Sequence, residues 1–214
     1  MPDAWVVWPT CNPVRHKGKL NAWRSQGYRV GVLVNGVLGY DHADLMIWES
    51  EYRGYWQSVN MLCHALIERA DVIVVAADDM CPDPNLTAQE IAQQFLEHFP
   101  GGYGVMQPTG DDLDGTDRIC GSPWLGREWI KESYCGYGPY WGGYLRFYGD
   151  EELFNVAKQQ GVLWQRPDLT QYHDHWLRTG TKTDYQIANE AWWDQDKELF
   201  RQRRCDGFPG SERL

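Results

Sequence analysis

The sequence predicts an α/β domain built on a mainly parallel sheet with helices on its faces. Three observations carry this. The segment DVIVVAADDMCPDPN, residues 71–85, opens with a continuous apolar run from Val72 to Ala76. Such a run suits a strand buried on both faces, not one with an exposed side. Around it, short apolar runs alternate with stretches of helical periodicity, as a doubly wound sheet requires. The run also ends on two adjacent carboxylates, Asp78 and Asp79, and Pro82 and Pro84 then forbid continuation of the strand. In open α/β sheets, ligands bind beyond the carboxyl ends of such strands. Two acids there suit either a solvated turn or a divalent cation bridging to phosphate oxygens.

Taken in order, Trp5 to Trp8 is a first strand closed by Pro9. Residues 15 to 26 form a helix with Leu20, Ala22 and Trp23 turned inward and Gly27 ending it. Tyr28 to Val34 is a second strand, ended by the turn pair Asn35-Gly36, and Leu45 to Trp48 is a third. Over 54–69, Trp56, Val59, Leu62, Cys63, Leu66 and Ile67 recur at helical spacing. After the 72–76 strand, Thr87 with Glu90 makes a capping box for a helix to Phe99, and Tyr103 to Gln107 is a strand. A strand is expected over Cys120–Trp124 and a short helix over Leu125–Glu132. The aromatic, Gly-rich loop GYGPYWGG at 136–143 has neither GxGxxG nor a GKS ending, so it is no phosphate loop. A helix over Asp150–Gln160, a strand over Val162–Trp164 and one charged helix over 183–204 complete the chain. The expectation is a single domain over 1–204, with halves 1–107 and 108–204 and a flexible tail at 205–214.

Composition narrows the function. A net charge of −10 and a pI of about 5.0 argue against broad, sequence-independent binding to polyanions. Locally, Arg15, His16, Lys17, Lys19, Arg24 and Arg29 form a cationic cluster, which either welcomes a phosphate-bearing ligand or coats a solvated helix. No apolar run approaches the roughly 20 residues of a membrane span. The N-terminus lacks the basic and apolar regions of a signal peptide, so a cytoplasmic location is expected. The cysteines are scattered with no CxxC pair, which suggests neither a zinc site nor a disulfide framework. The aromatic residues are dense between Trp124 and Trp176 and either pack the core or offer stacking platforms for a sugar ring or a base.

Three features line up along the chain: Asp78-Asp79 at a strand end, Asp150-Glu151-Glu152-Leu153 opening a helix, and Tyr172-His173-Asp174-His175-Trp176. In order and spacing this set resembles the GT-A fold glycosyltransferases, in particular the family 2-like inverting enzymes. The resemblance covers about residues 4–176. It rests on the first strand ending in Pro9-Thr10, the helix carrying Asn60 before the key strand, AADDMCPDP in place of the DxD segment, GDEEL in place of the catalytic acid motif, and a late histidine.

The resemblance implies a Mn²⁺- or Mg²⁺-dependent transfer from a nucleotide sugar, with a UDP-sugar as the first donor to test. Ala77-Asp78-Asp79 matches the family triplet with its first acid replaced by alanine. Asp79 then ligates metal with His173 or His175 as a second ligand, and Asp78 sits against the donor's ribose or sugar. Asp150 stands at the general base with Glu151 as fallback; its other role is helix capping. Pro9, Thr10, Asn12, Arg15, Asn35 and Asn60 are expected on the nucleotide, and Trp124, Tyr140 and Trp141 as the acceptor wall. The acceptor stays open between a glycan, a small molecule and a modified DNA base. The last would make the chain similar to phage-encoded enzymes that work in the host cytoplasm. Nucleotidyl transfer is a second class, but it prefers a Gly-rich loop after the first strand, where TCNPVRHKGK is only basic. A non-catalytic nucleotide-sugar-binding module is a third, and it has no need of Asp150.

Overall fold

The structure is a computed structural model that describes residues 1–36, 43–113 and 115–214. Its strands are β1 (Ala4–Thr10), β2 (Arg29–Asn35), β3 (Leu45–Glu49), β4 (Val72–Val75), β5 (Met80–Cys81), β6 (Val105–Pro108), β7 (Trp124–Gly126), β8 (Leu163–Arg166) and β9 (Tyr172–His173). Its helices are α1 (Pro13–Ser25), α2 (Tyr55–Leu66), α3 (Ala88–His98), α4 (Arg127–Glu132), α5 (Gly149–Gln159), α6 (Trp176–Thr179), α7 (Asp184–Asn189) and α8 (Trp193–Cys205). The main sheet runs β3-β2-β1-β4-β7-β6-β8, with β7 antiparallel to both neighbours and every other pairing parallel. The chain leaves β1 toward β2 on one side and returns to β4 on the other. The crevice beyond β1 and β4 is therefore the switch point at which such sheets bind ligands.

Side chains alternate across the sheet even where the sequence is uniformly apolar. Trp5, Val7, Ile73 and Val75 pack on the face covered by α2, α4, α5 and α8. Val6, Trp8, Val72 and Val74 pack on the face covered by α1 and α3. The expected Thr87–Glu90 capping box is present at the start of α3.

Three expectations are corrected. The strand placed at 120–124 forms instead at 124–126, and the helix after it starts at Arg127. Pro123 has no N–H to give a ladder, but its carbonyl accepts the Val75 N–H at 2.9 Å and so leads the chain into β7. The last residue of that strand, Gly126, has to be glycine, because a Cβ there would lie 2.0 Å from the Gly102 carbonyl oxygen. The helix expected over 183–204 is broken into α7, a 3-10 turn at 190–192 and α8. The last ten residues fold back instead of fraying. Phe208 is buried in the core, and the Leu214 N–H donates to the Glu132 carbonyl at 3.0 Å.

Candidate functional site at the β1–β4 crevice

The site is built at the carboxyl end of β4. Asp78 and Asp79 are both buried there. Thr10, at the end of β1, donates its hydroxyl to Asp78 Oδ2 at 2.7 Å. Asn12 caps α1 by accepting the Val14 and Arg15 N–H groups. That start of the helix carries the Arg15 guanidinium to 3.1 Å from Asp79 Oδ2 and 3.8 Å from Asp78 Oδ1. On the other side, β5 and β9 pair antiparallel with Met80 opposite His173, and the Asp174 N–H donates to the Asp79 carbonyl at 2.8 Å. This two-stranded ribbon brings His173 Nε2 to 3.2 Å from Asp79 Oδ1.

The electrostatics differ between the two acids. Burial raises the Asp78 carboxyl above its usual range, against the pull of the Thr10 hydrogen bond. Burial also works against charge on Asp79, but His173 and Arg15 more than offset it and hold that carboxyl below the usual range. His175 stacks edge-on beside His173 at 4.8 Å between ring centres. Burial, then the neighbouring His173, pushes the His175 imidazole down to about 4. Its Nδ1 accepts the Leu177 N–H at 3.3 Å, which occupies the single lone pair of the neutral ring.

A cleft of about 290 Å³ opens over this edge, and Asp79, His173, His175, Asp150 and Glu151 all line it. Asp150 is half-buried in the first turn of α5. It is not the N-cap itself, since that position is Tyr148 in a left-handed conformation (φ 68°). Its Oδ1 nonetheless accepts the Glu151 N–H at 3.1 Å. Burial raises the Asp150 carboxyl, while backbone N–H groups pull it back in part. The chain reaches this position only because Gly149 lies against Trp56, where a Cβ would come within 2.4 Å of the indole. A second cleft of about 290 Å³ is lined by Pro9, Thr10, Asn35 and Asp78 together with Tyr52 and Trp192. The two clefts share Tyr55, Ala77 and Arg146.

Arg146 carries no motif and was no part of the expected site. Its guanidinium lies over the Tyr55 ring at 4.4 Å. Its loop is fixed by Asp196, a fully buried residue of α8 whose carboxylate accepts the backbone N–H groups of Leu145, Arg146 and Phe147 at 3.1, 2.8 and 2.9 Å. Only the position of Arg146, just before the GDEEL acids, hinted at it in the sequence.

Four expected site residues lie elsewhere. Asn60 clamps the loop after α4: it donates to the Tyr137 and Tyr140 carbonyls and accepts the Tyr140 N–H. Trp124 is fully buried in β7 and donates its indole N–H to Gln171. Tyr140 is buried against Trp56, 4.6 Å between ring centres. Trp141 lies under the Arg203 guanidinium at 3.8 Å. None of the four lines either cleft. Each aromatic was needed by the core, which periodicity alone does not reveal.

The donor set at Asp79 fits a divalent cation in part. Asp79 Oδ1 is buried and has no hydrogen-bond partner, although His173 Nε2 faces it. Among the described residues, no group of three or more His, Cys, Asp or Glu is placed to hold a metal. Asp79 and His173 would therefore supply two ligands and leave the rest to water and phosphate oxygens, the usual arrangement for an ion that serves a nucleotide substrate.

No protein-family model matches the chain, and no curated protein matches it in sequence. Among solved structures, it is similar to a provisionally assigned glucose-1-phosphate thymidylyltransferase from Bacillus anthracis in complex with sucrose. The two are 12% identical with a TM-score of 0.52, over 88% of this chain and 94% of that one. The fold is of the GT-A type. The chain is also similar to the catalytic domain of Drosophila β1,4-galactosyltransferase 7 in complex with xylobiose, at 15% identity and a TM-score of 0.49 over 82% of this chain and 71% of that one. In this GT-A fold the two clefts lie beyond the carboxyl ends of β1 and β4, and no described helix is long and apolar enough to cross a membrane.

Proposed function

We propose that the chain is a metal-dependent, inverting glycosyltransferase that moves a sugar from a nucleotide-sugar donor to an acceptor hydroxyl. The observation that carries the reading is the meeting of Asp79, His173 and Asp150 in one cleft, beside a second cleft bounded by Thr10, Asn35 and Asp78. In this reading the second cleft takes the nucleoside, with Pro9, Thr10 and Asn35 near the base and ribose and Asp78 held in place by Thr10. Arg15 and Arg146 face the diphosphate with positive charge. Asp79 and His173 would hold a divalent cation, which would supply charge neutralisation for the leaving diphosphate. Asn12 acts indirectly, as the cap that aims Arg15. His175, whose lone pair is engaged by Leu177, shapes the pocket and is the weaker candidate ligand.

The acceptor oxygen attacks the anomeric carbon as the bond from that carbon to the diphosphate oxygen breaks. Asp150 takes the acceptor's proton. Burial raises its pKa, which favours this step because a stronger base accepts the proton more readily. Glu151, also raised by burial, is the reserve base. An imidazole in the ligand set favours Mn²⁺ over Mg²⁺. The test is a screen of UDP-, GDP- and TDP-sugars with Mn²⁺, reading release of the nucleoside diphosphate. Metal-dependent release supports the proposal. Pyrophosphate release from a nucleoside triphosphate and a sugar 1-phosphate would favour nucleotidyl transfer instead.

A further inference from the structure

A third cavity, of about 650 Å³, adjoins the cleft that holds Asp150. It shares Arg146, Phe147, His175, Gln186 and Trp193 with that cleft, so the two lie side by side around the same five residues. Its volume is more than twice the 290 Å³ of the nucleoside-side cleft. We propose that this cavity is the acceptor subsite and that its occupant is a neutral saccharide of more than one ring. The inference rests on the transferase reading and names its second substrate.

The lining argues for that chemistry. Phe147, Trp176 and Trp193 line it together with the amides of Gln186 and Asn189; Phe147 and Trp193 meet edge-on at 4.8 Å, and Lys182 lies over the Trp176 ring at 4.2 Å. Aromatic rings beside planar polar groups match a sugar, which has apolar C–H faces and a rim of hydroxyls. Gln186 is orientated for this. Its Oε1 accepts the Thr183 N–H and hydroxyl, so the donors of its amide remain for a ligand.

Charge argues against the nucleic-acid acceptor. The cavity's two cations, Arg146 and Lys182, are balanced by two carboxylates, Glu190 and Asp194, and Lys182 is bonded to Glu190. A strand carrying an extruded base needs an excess of cations for its phosphates. Neither this cavity nor the whole chain, at −10, offers one.

The experiment titrates the protein, with UDP and Mn²⁺ present, with xylotriose, cellotriose and maltotriose and, separately, with a single-stranded oligodeoxynucleotide. Tryptophan fluorescence and saturation-transfer NMR report binding. At least one trisaccharide is expected to bind saturably and the oligonucleotide not to bind. Trp193→Ala is expected to weaken the saccharide roughly 3- to 10-fold, the range of a lost aromatic contact. Gln186→Ala, on a short surface helix, provides the same readout if the tryptophan variant folds poorly. UDP affinity is expected to stay unchanged in both. Oligonucleotide binding without saccharide binding, no saccharide binding while UDP binds, or saccharide affinity indifferent to both variants would each overturn the proposal. Saccharide binding in a protein that binds no nucleotide would support the cavity and overturn the donor reading.

Discussion

The two walls of the acidic cleft are held in different ways. On the sheet wall, Asp78 and Asp79 follow directly from β4, and their partners come from a strand end, the start of α1 and a two-residue ribbon: Thr10, Arg15 and His173. On the opposite wall, Arg146 and Asp150 stand on a loop and a helix start that local sequence does not fix. They depend on α8, about fifty residues further on, through Asp196 and through Arg203. Arg203 forms a bidentate pair with Glu152, and Tyr144 donates to the same carboxylate at 2.7 Å. The sheet wall is thus a product of strand pairing and one capped helix start, and the other wall is a product of tertiary clamps. The candidate metal ligands belong to the first and the candidate base to the second.

That contrast can be broken most forcefully at the buried pair. Glu152→Ala leaves Arg203 without its partner in the core and is expected to cost about 3–5 kcal/mol of stability, read from urea unfolding. Trp124→Ala is expected to cost a similar amount, about 3–5 kcal/mol, because it empties a core site. Per folded molecule, however, it should leave saccharide affinity unchanged, which separates a core residue from an acceptor wall. Asp196→Ala strips the acceptor from three backbone N–H groups and is expected to cost about 1–3 kcal/mol, the penalty for unsatisfied buried donors. The contrast is sharpened by its binding pattern. Mn²⁺ binding at the sheet wall, followed by electron paramagnetic resonance, should persist, while nucleotide affinity should fall as Arg146 loses its aim.

The gentlest probe is pH. A base acts only when deprotonated, and burial holds the Asp150 carboxyl above its ordinary value. Turnover should therefore decline as pH falls through a midpoint above the ordinary value for an aspartate and level off above that midpoint. The stability sign is opposite: an acid whose folded pKa is raised loses native-state stability as pH rises through that window. Asp150→Asn removes both effects, and the two profiles measured together check the assignment.

The sheet wall was legible in the sequence because its signals are local. An apolar run ending in Asp78-Asp79 before two prolines states a strand, its end and its charge within fifteen residues. The Thr87–Glu90 cap is equally self-contained. The far wall was only half legible. Asp150 could be found from the GDEEL segment, but Arg146 could not, since its clamp lies on α8. Trp124, Tyr140 and Trp141 illustrate the reverse error. An aromatic side chain suits a core as well as a ligand, and which of these it serves depends on partners distant in sequence, here Gln171, Trp56 and Arg203. Phe208 was missed for the same reason. A single apolar residue in a polar tail has no periodicity, yet it is buried.

In the proposed reaction both walls act together, with Asp150 acting on the acceptor and not on the donor. Asp150→Asn, measured for donor affinity by calorimetry and for transfer under saturating donor and Mn²⁺, tests it most directly. Donor affinity is expected to stay close to that of the unaltered chain and turnover to fall by roughly 10²- to 10⁴-fold, the usual contribution of a general base. Unchanged turnover, or donor affinity lost in step with turnover in a fully folded variant, would contradict it.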